Sequence, residues 1–321
     1  MNKINKRMIE KLREVFEKEK LDVMIGFQES SVPLRAAPLF ADSLDKLDKM
    51  IFGPSCYTNL AKYIADEKKR DKMRKIGFIA KGCDGRAILE LISENQISRE
   101  NIVIIALPCE GVIDPNNVRK ALQGRDFSEY EIDDDKVILK GRNFNVETSL
   151  SKLRNEACAT CKYPNAPVYD YIIGEAIDRA EDSDQFERVT EFDKLSDEER
   201  WAYFEKEFSK CIRCYACRNV CPMCYCEECF VDQKNPKWFG KSVEKTDTTI
   251  FHIVRMLHVA GRCVDCGACA ASCPTGVDLR LLGKRLEKEV LDRFGYIPGL
   301  DPEEPPAPST FSEDDEDEFI M

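Results

Sequence analysis

The spacing of its cysteines limits what this chain can fold into more than any other feature. Residues 211–222 read CIRCYACRNVCP and residues 263–274 read CVDCGACAASCP, so the pattern C-x2-C-x2-C-x3-C-P occurs twice. The 321 residues include 16 cysteines but only two histidines, His252 and His258. The N-terminus, MNKINKRMIEKLREVFEKEK, lacks the apolar core of a secretory signal, and no apolar run of about 18 residues appears. A cytoplasmic protein is therefore expected. In a reducing compartment such thiols serve metal or redox chemistry rather than disulfides. With so little histidine, any metal must be held almost wholly by thiolate, which means zinc or iron–sulfur.

A zinc ribbon needs only paired CxxC motifs. The third cysteine and the terminal Cys-Pro are the signature of bacterial ferredoxins. Three closely spaced thiolates wrap one 4Fe–4S cubane and the fourth reaches across to the other. One set is then Cys211, Cys214, Cys217 and Cys273, and the second is Cys263, Cys266, Cys269 and Cys221. Gly267, Ala268, Ala270 and Ala271 leave room for backbone amides to bond cluster sulfurs. The insertion between the runs, residues 223–262, contains TTIFHIVRMLHVAGR, whose apolar residues at helical spacing argue for core packing. His252 and His258 are six apart, share no helix face and are not expected to be ligands.

The first half alternates. A helix over about Lys3 to Lys20 precedes LDVMIGF, a helical stretch follows Cys56, and KIGFIA is followed by helical AILELISENQ and then NIVIIALP. Short β-branched runs between helical patterns predict an α/β domain with a mostly parallel sheet. The uniformly apolar NIVIIALP suits a strand covered on both faces. Cys83 and Cys109 lie just past the carboxyl ends of two of these strands, where α/β sheets place ligands. Cys158 and Cys161 form a CxxC, and Cys56 falls at an expected helix start. Tyr169 to Glu205 reads mostly as charged helix.

Over about residues 45 to 175 the chain resembles the β subunits of deazaflavin-reducing hydrogenases and of related formate dehydrogenases. FGPSCYTNLAKYI, KIGFIAKGCDGRAI, NIVIIALPCEG and NEACATCKYPNAPVYDYIIGE carry the resemblance. It implies a third 4Fe–4S cluster on Cys83, Cys109, Cys158 and Cys161; the alternatives are a zinc site on the same thiolates or unrelated buried cysteines. It also implies FAD and hydride exchange with a deazaflavin. The family's Gly-rich N-terminal segment has no counterpart in the polar GFQESSVPLRAAPL, and neither GxGxxG nor a P-loop occurs.

Three cysteines, Cys224, Cys226 and Cys229, remain just after the first ferredoxin run, with Cys56 the sixteenth. These four are expected to hold a fourth cluster that bridges the two halves. A thiolate zinc site, or reduced thiols packed near the clusters, are the alternatives.

The formal charge of −11 is concentrated in the tail. Residues 301–321 hold nine acidic residues and no Lys or Arg, so the rest sums to −2. That excludes the basic footprint of a nucleic-acid binder. The tail is expected to be disordered, with Phe311, Phe319 and Ile320 available to a partner. The expected division is an α/β domain over 1–175, a two-cluster ferredoxin domain with flanking helices over 176–300, and the acidic tail over 301–321. The leading function is an iron–sulfur electron-transfer subunit of an anaerobic oxidoreductase. Its partners would be formate dehydrogenase, hydrogenase or heterodisulfide-reductase-like subunits. A flavin-dependent enzyme acting on a deazaflavin or nicotinamide is the alternative, and a redox sensor or scaffold with structural clusters the third reading.

Overall fold

A computed structural model describes residues 3–179, 184–238 and 240–309. The alternating first half folds as a mixed sheet. Its strands are β1 (Val23–Glu29), β2 (Ala36–Ala41), β3 (Met50–Ile51), β4 (Ile76–Ala80), β5 (Ile102–Ala106) and, after a separate small sheet, β9 (Tyr171–Ile172). The order is β2-β1-β4-β5-β9, with β3 also on β1. The β1–β4, β4–β5 and β5–β9 pairs are parallel, and β2 and β3 run antiparallel to β1. Both β4 and β5 are buried along their whole length, as continuous apolar runs require.

Alternation along the strands separates two cores. Met24, Ile79, Val103 and Ile105 face the N-terminal helix Lys3–Lys18 through Met8, Leu12 and Val15. Ile25, Phe78 and Ile104 face the helices Lys62–Arg70 and Gly82–Ser93 through Ile64, Ile88 and Leu91, with Leu60 just ahead of the first helix in the same core. That second core does not stop at residue 175. It continues through Phe208, Phe251, Met256, Val264 and Val277. The cysteine-dense half thus packs directly on one face of the sheet.

Three features differ from the sequence reading. GFQESSVPLRAAPL, noted only as polar, forms a strand pair: β1 runs on to Glu29 and β2 returns beside it, from Glu29↔Ala36 to Met24↔Ala41. Cys56 does not start a helix. It sits in a turn, its N–H donating to Gly53 O at 3.1 Å, and the helix begins at Lys62. Residues 129–149 form a three-stranded antiparallel meander, β6 (Glu129–Asp133), β7 (Lys136–Gly141) and β8 (Phe144–Ser149). Val137 and Leu139 of β7 bury against Val118, Leu122 and Leu153.

Between residues 169 and 205, the described helices are only Glu187–Asp193 and the one that starts at Asp197 and ends at Phe208. The ferredoxin runs contribute two short helices, Ala216–Asn219 and Ala268–Ala271, and the insertion contributes Lys245–His258. A final helix, Arg280–Phe294, ends at left-handed Gly295. Of the tail, residues 301–309 are described, with a 3-10 turn at Ala307–Ser309; Phe311, Phe319 and Ile320 lie outside the described residues. Among the described residues, no helix is long and apolar enough to cross a membrane.

Candidate metal centres

The two ferredoxin runs adopt the same backbone. In each, the residue before the second cysteine and the residue after it take positive φ: Arg213 (54°) and Tyr215 (59°) in the first, Asp265 (47°) and Gly267 (68°) in the second. Such turns point successive N–H groups into one concavity, the kind of nest that holds anions and iron–sulfur centres. Amides do reach the sulfurs. Arg213 N donates to Cys211 Sγ at 3.3 Å and Val277 N to Cys273 Sγ at 3.3 Å. Thiols of Cys266 and Cys269 accept from the Ala268 and Ala270 amides.

Sulfurs of the two runs lie near one another. Cys211 stands close enough to Cys273 and Cys214 to feel their charge, and Cys217 feels Cys211 and Cys273. In the second set Cys221 is felt by Cys263, Cys266 and Cys269. Burial raises the thiols of Cys211, Cys217, Cys263, Cys266 and Cys269, pushing Cys217 to about 12 and Cys263 well up; Cys221 is driven up first by its hydrogen bond with Cys224 and then by burial. A buried thiolate needs compensating positive charge, which an iron core supplies.

Arg255, on the insertion helix, lies between the two sets. Burial opposes its charge, but the surrounding sulfurs of Cys269, Cys217, Cys221 and Cys224 outweigh this and hold its pKa above the ordinary value. Its Nη2 donates to Cys217 O at 2.9 Å. Sequence reasoning missed Arg255. Its only signal was a charge on the apolar face of the TTIFHIVRMLHVAGR pattern. His252, on the same helix, is buried at 1% exposure and packs against Phe208 and Phe251, with ring centroids 4.7 and 4.9 Å away. Burial, then the charges of Arg255 and Arg213, lower its pKa to about 3, so it is a neutral core side chain.

The third set gathers at the carboxyl ends of β4 and β5. Cys83 opens the Gly82–Ser93 helix, Cys109 follows β5, and Cys158 sits in the short helix Glu156–Ala159. Cys109 feels Cys161, and Cys158 feels both. Val112 N and Tyr163 N donate to Cys158 Sγ and Cys161 Sγ at 3.5 and 3.4 Å. Glycine at 82 is obligatory, because a Cβ there would lie 1.9 Å from Tyr163 O. Lys81, also missed from sequence, is buried beside Cys83 and Cys109. It pairs with Asp84 at 2.8 Å and donates to Thr58 O at 3.0 Å. Burial works against its charge, but Asp84 and the neighbouring sulfurs raise its pKa overall.

Cys56 is not brought to Cys224, Cys226 and Cys229. It is fully buried near Lys81 and Cys109, on the sheet side, with its thiol pushed to about 11 by burial. The reason is the turn at Gly53, which anchors Cys56 under β3. Cys224, Cys226 and Cys229 instead line a cavity of about 570 Å³ with Arg218, Arg255 and His258. Cys224 shares a hydrogen bond with Cys221, which lowers the Cys224 pKa and raises that of Cys221. Among the described residues, no three Cys, His, Asp or Glu side chains close onto a single ion.

The halves are bolted together around these sets. Asn155 donates to Gly267 O at 3.4 Å, and Asn116 to Ala270 O at 3.0 Å. Arg280 joins Asp265 at 2.7 Å and Glu156 at 3.0 Å. Cys83 of the third set and Cys266 of the second are close enough to interact. A second cavity of about 460 Å³ opens past β5 and β9, lined by Pro108, Cys109, Gly111, Arg154 and Gly174.

Both halves of the chain match known families by sequence. Residues 73–224 match the C-terminal region of the coenzyme F420 hydrogenase/dehydrogenase beta subunit, and residues 207–277 match a 4Fe-4S dicluster domain. The F420-dependent formate dehydrogenase subunit beta of Methanocaldococcus jannaschii is 28% identical over 303 residues, covering 77% of this chain and 78% of the relative. The F420-dependent formate dehydrogenase 1 subunit beta of Methanococcus maripaludis is 25% identical over 332 residues, with 85% and 84% covered. A chain of the xenon-derivatised F420-reducing [NiFe] hydrogenase complex from Methanosarcina barkeri overlaps 50% of this chain and 62% of its own, with a TM-score of 0.39 and 14% identity. The chain resembles the β subunits of coenzyme F420 hydrogenases and dehydrogenases across residues 73–224, joined to a 4Fe–4S dicluster domain across 207–277.

Proposed function

We propose that this chain is an iron–sulfur electron-transfer subunit of an oxidoreductase, with partners of the formate dehydrogenase, hydrogenase or heterodisulfide-reductase type. The observation that carries this reading is the succession of sulfur sets. Cys217 of the first lies near Cys269 of the second, and Cys266 of the second lies near Cys83 of the third. Three cubanes in those positions form a relay, and a relay needs closely spaced centres rather than a substrate pocket. The curated relatives, both named as β subunits of formate dehydrogenases, support it.

Two features favour cubanes over zinc. A zinc ion draws its thiolates to about 2.3 Å each, whereas each cubane cysteine binds a separate iron and stands further from its neighbours. The sets lack single-ion closeness and have the amide donors that cluster sulfurs accept. When bound, the clusters take up and release single electrons. The chain's own part is to hold them by thiolate, to aim amides at the sulfurs and to exclude water.

The second reading, a flavoenzyme, rests on the 460 Å³ cavity, within the ~300–1,000 Å³ usual for cofactor sites. A flavin there would stand beside Cys109 of the third set. Anaerobic purification with iron, zinc and flavin quantification decides between them. About twelve or more irons per chain, no flavin and rapid reversible bleaching of the clusters by a partner support the relay. Stoichiometric flavin with deazaflavin- or nicotinamide-dependent turnover would establish the enzyme instead.

A further inference from the structure

The three cysteines outside the ferredoxin pattern do not join Cys56, yet their surroundings are built for a charged guest. Cys224, Cys226 and Cys229 share the 570 Å³ cavity with Arg218, Arg255 and His258. Arg255 is only 3% exposed, and its Nε has no hydrogen-bond partner among the described residues. Its Nη1 and Nη2 reach Met256 Sδ at 3.6 Å and Cys217 O at 2.9 Å, so the guanidinium is held in place as a fixed positive charge in the wall of this cysteine-lined cavity. Arg218 bonds the Cys229 thiol and also pairs with Asp232 at 2.6 Å. Three sulfurs within six residues thus converge on one wall of the cavity, beside two arginines. The Cys224 sulfur lies within reach of the Cys221 sulfur, so this cavity adjoins the second ferredoxin set.

The geometry points to a fourth 4Fe–4S cluster held by only Cys224, Cys226 and Cys229, with its fourth iron facing the cavity rather than a protein thiolate. This rests on the iron–sulfur reading above. An open iron beside Arg218 and Arg255 would accept a small anionic or water ligand, and the site would branch from the relay at Cys221.

Ferricyanide titration of the anaerobically purified full chain tests this. Ferricyanide takes one electron from a 4Fe–4S(2+) core, the resulting 3+ core releases Fe2+ from its open corner, and a 3Fe–4S(+) core remains. The expected result is about sixteen irons per chain, and one 3Fe–4S electron paramagnetic resonance signal per chain on titration. Cys226→Ser, at an exposed position, should lose that signal and about four irons. Cys56→Ala should lose neither. About twelve irons in the unaltered chain would overturn the inference and leave the three-cluster relay standing. About eight would remove the third cluster as well. Sixteen irons with no three-iron product would mean a fourth protein ligand, such as His258, and would refute the open corner. Zinc lost in place of iron from Cys226→Ser would refute the cluster.

Discussion

Arg86 on the Gly82–Ser93 helix donates through Nη1 to Val264 O at 3.2 Å, in the loop between Cys263 and Cys266. Its Nε and Nη2 both reach Pro298 O, at 3.0 and 2.9 Å, and the side chain is 3% exposed. One guanidinium therefore ties the third cysteine set to the second and to the chain beyond the last helix. Replacing it leaves two buried carbonyls without donors, which costs roughly 1–3 kcal/mol each. Arg86→Met should lower the unfolding midpoint and weaken the magnetic interaction between the second and third clusters. An unchanged interaction spectrum in a destabilised variant would show that Arg86 only supports the fold.

Gly267 offers a sharper test of the same junction. Its φ is +68°, and a Cβ there would fall 2.4 Å from Asn155 Oδ1, the group that accepts from Ala157 N at the start of the Cys158 helix. Gly276 has nearly the same φ, +66°, but open space around it. Both Ala substitutions carry the left-handed strain of roughly 1–2 kcal/mol, but only Gly267→Ala displaces Asn155. Gly267→Ala should lose iron from the second and third sites together, whereas Gly276→Ala should keep full iron. Equal iron loss in both would mean that strain, not the Asn155 contact, matters.

The ferredoxin half was legible because its chemistry is local. Cysteines at fixed offsets with a Cys-Pro end fix which backbone turns are possible, and Arg213/Tyr215 and Asp265/Gly267 adopt matching turns. Strands β4 and β5 were legible as unbroken apolar runs. The meander was not read, because EYEIDDDKVILKGRNFNVETS alternates with charged residues on its exposed face and hides the period. Cys56 was misplaced because counting cysteines says nothing of distance; the turn at Gly53 decides it. Lys81 and Arg255 escaped notice because a buried cation is defined by what surrounds it, and those neighbours come from distant segments.

Cys158→Ala tests the third set without touching the ferredoxin runs. Cys158 interacts with Cys109 and Cys161 and accepts from Val112 N. Iron should fall by about four per chain while the spectra of the ferredoxin pair persist. Unchanged iron content would reject the assignment.

Glu90 gives stability a pH dependence. It is fully buried; Tyr296 OH donates to its Oε2 at 2.9 Å, and Oε1 has no partner among the described residues. Burial raises its pKa to about 7, against the Tyr296 hydrogen bond, which lowers it. The folded form therefore holds this proton more tightly than the unfolded chain, whose carboxyl titrates near its ordinary value of about 4.3. Its contribution is full below that value and is lost as pH rises towards 7, by about 3 kcal/mol at most. Glu90→Gln, neutral throughout, should flatten the fall in unfolding midpoint between about pH 4.5 and 7. An unaltered pH profile would show that Glu90 ionises freely in the folded chain.

Arg255 should set the redox level of the relay. Its buried charge faces the sulfurs of Cys269, Cys217, Cys221 and Cys224, which belong to both ferredoxin sets and to the loop beyond them. A cation close to a cluster favours the reduced, more negative state, so removing it should make reduction harder. Arg255→Met keeps the apolar stem and deletes the charge. Midpoint potentials of both ferredoxin-type clusters should become more negative, while iron content stays full. Arg255→Lys, which restores charge without the planar fork, should recover part of the shift. Loss of iron in Arg255→Met with normal potentials in the retained clusters would instead make Arg255 a packing residue. A shift confined to one cluster would place its charge against that cluster alone.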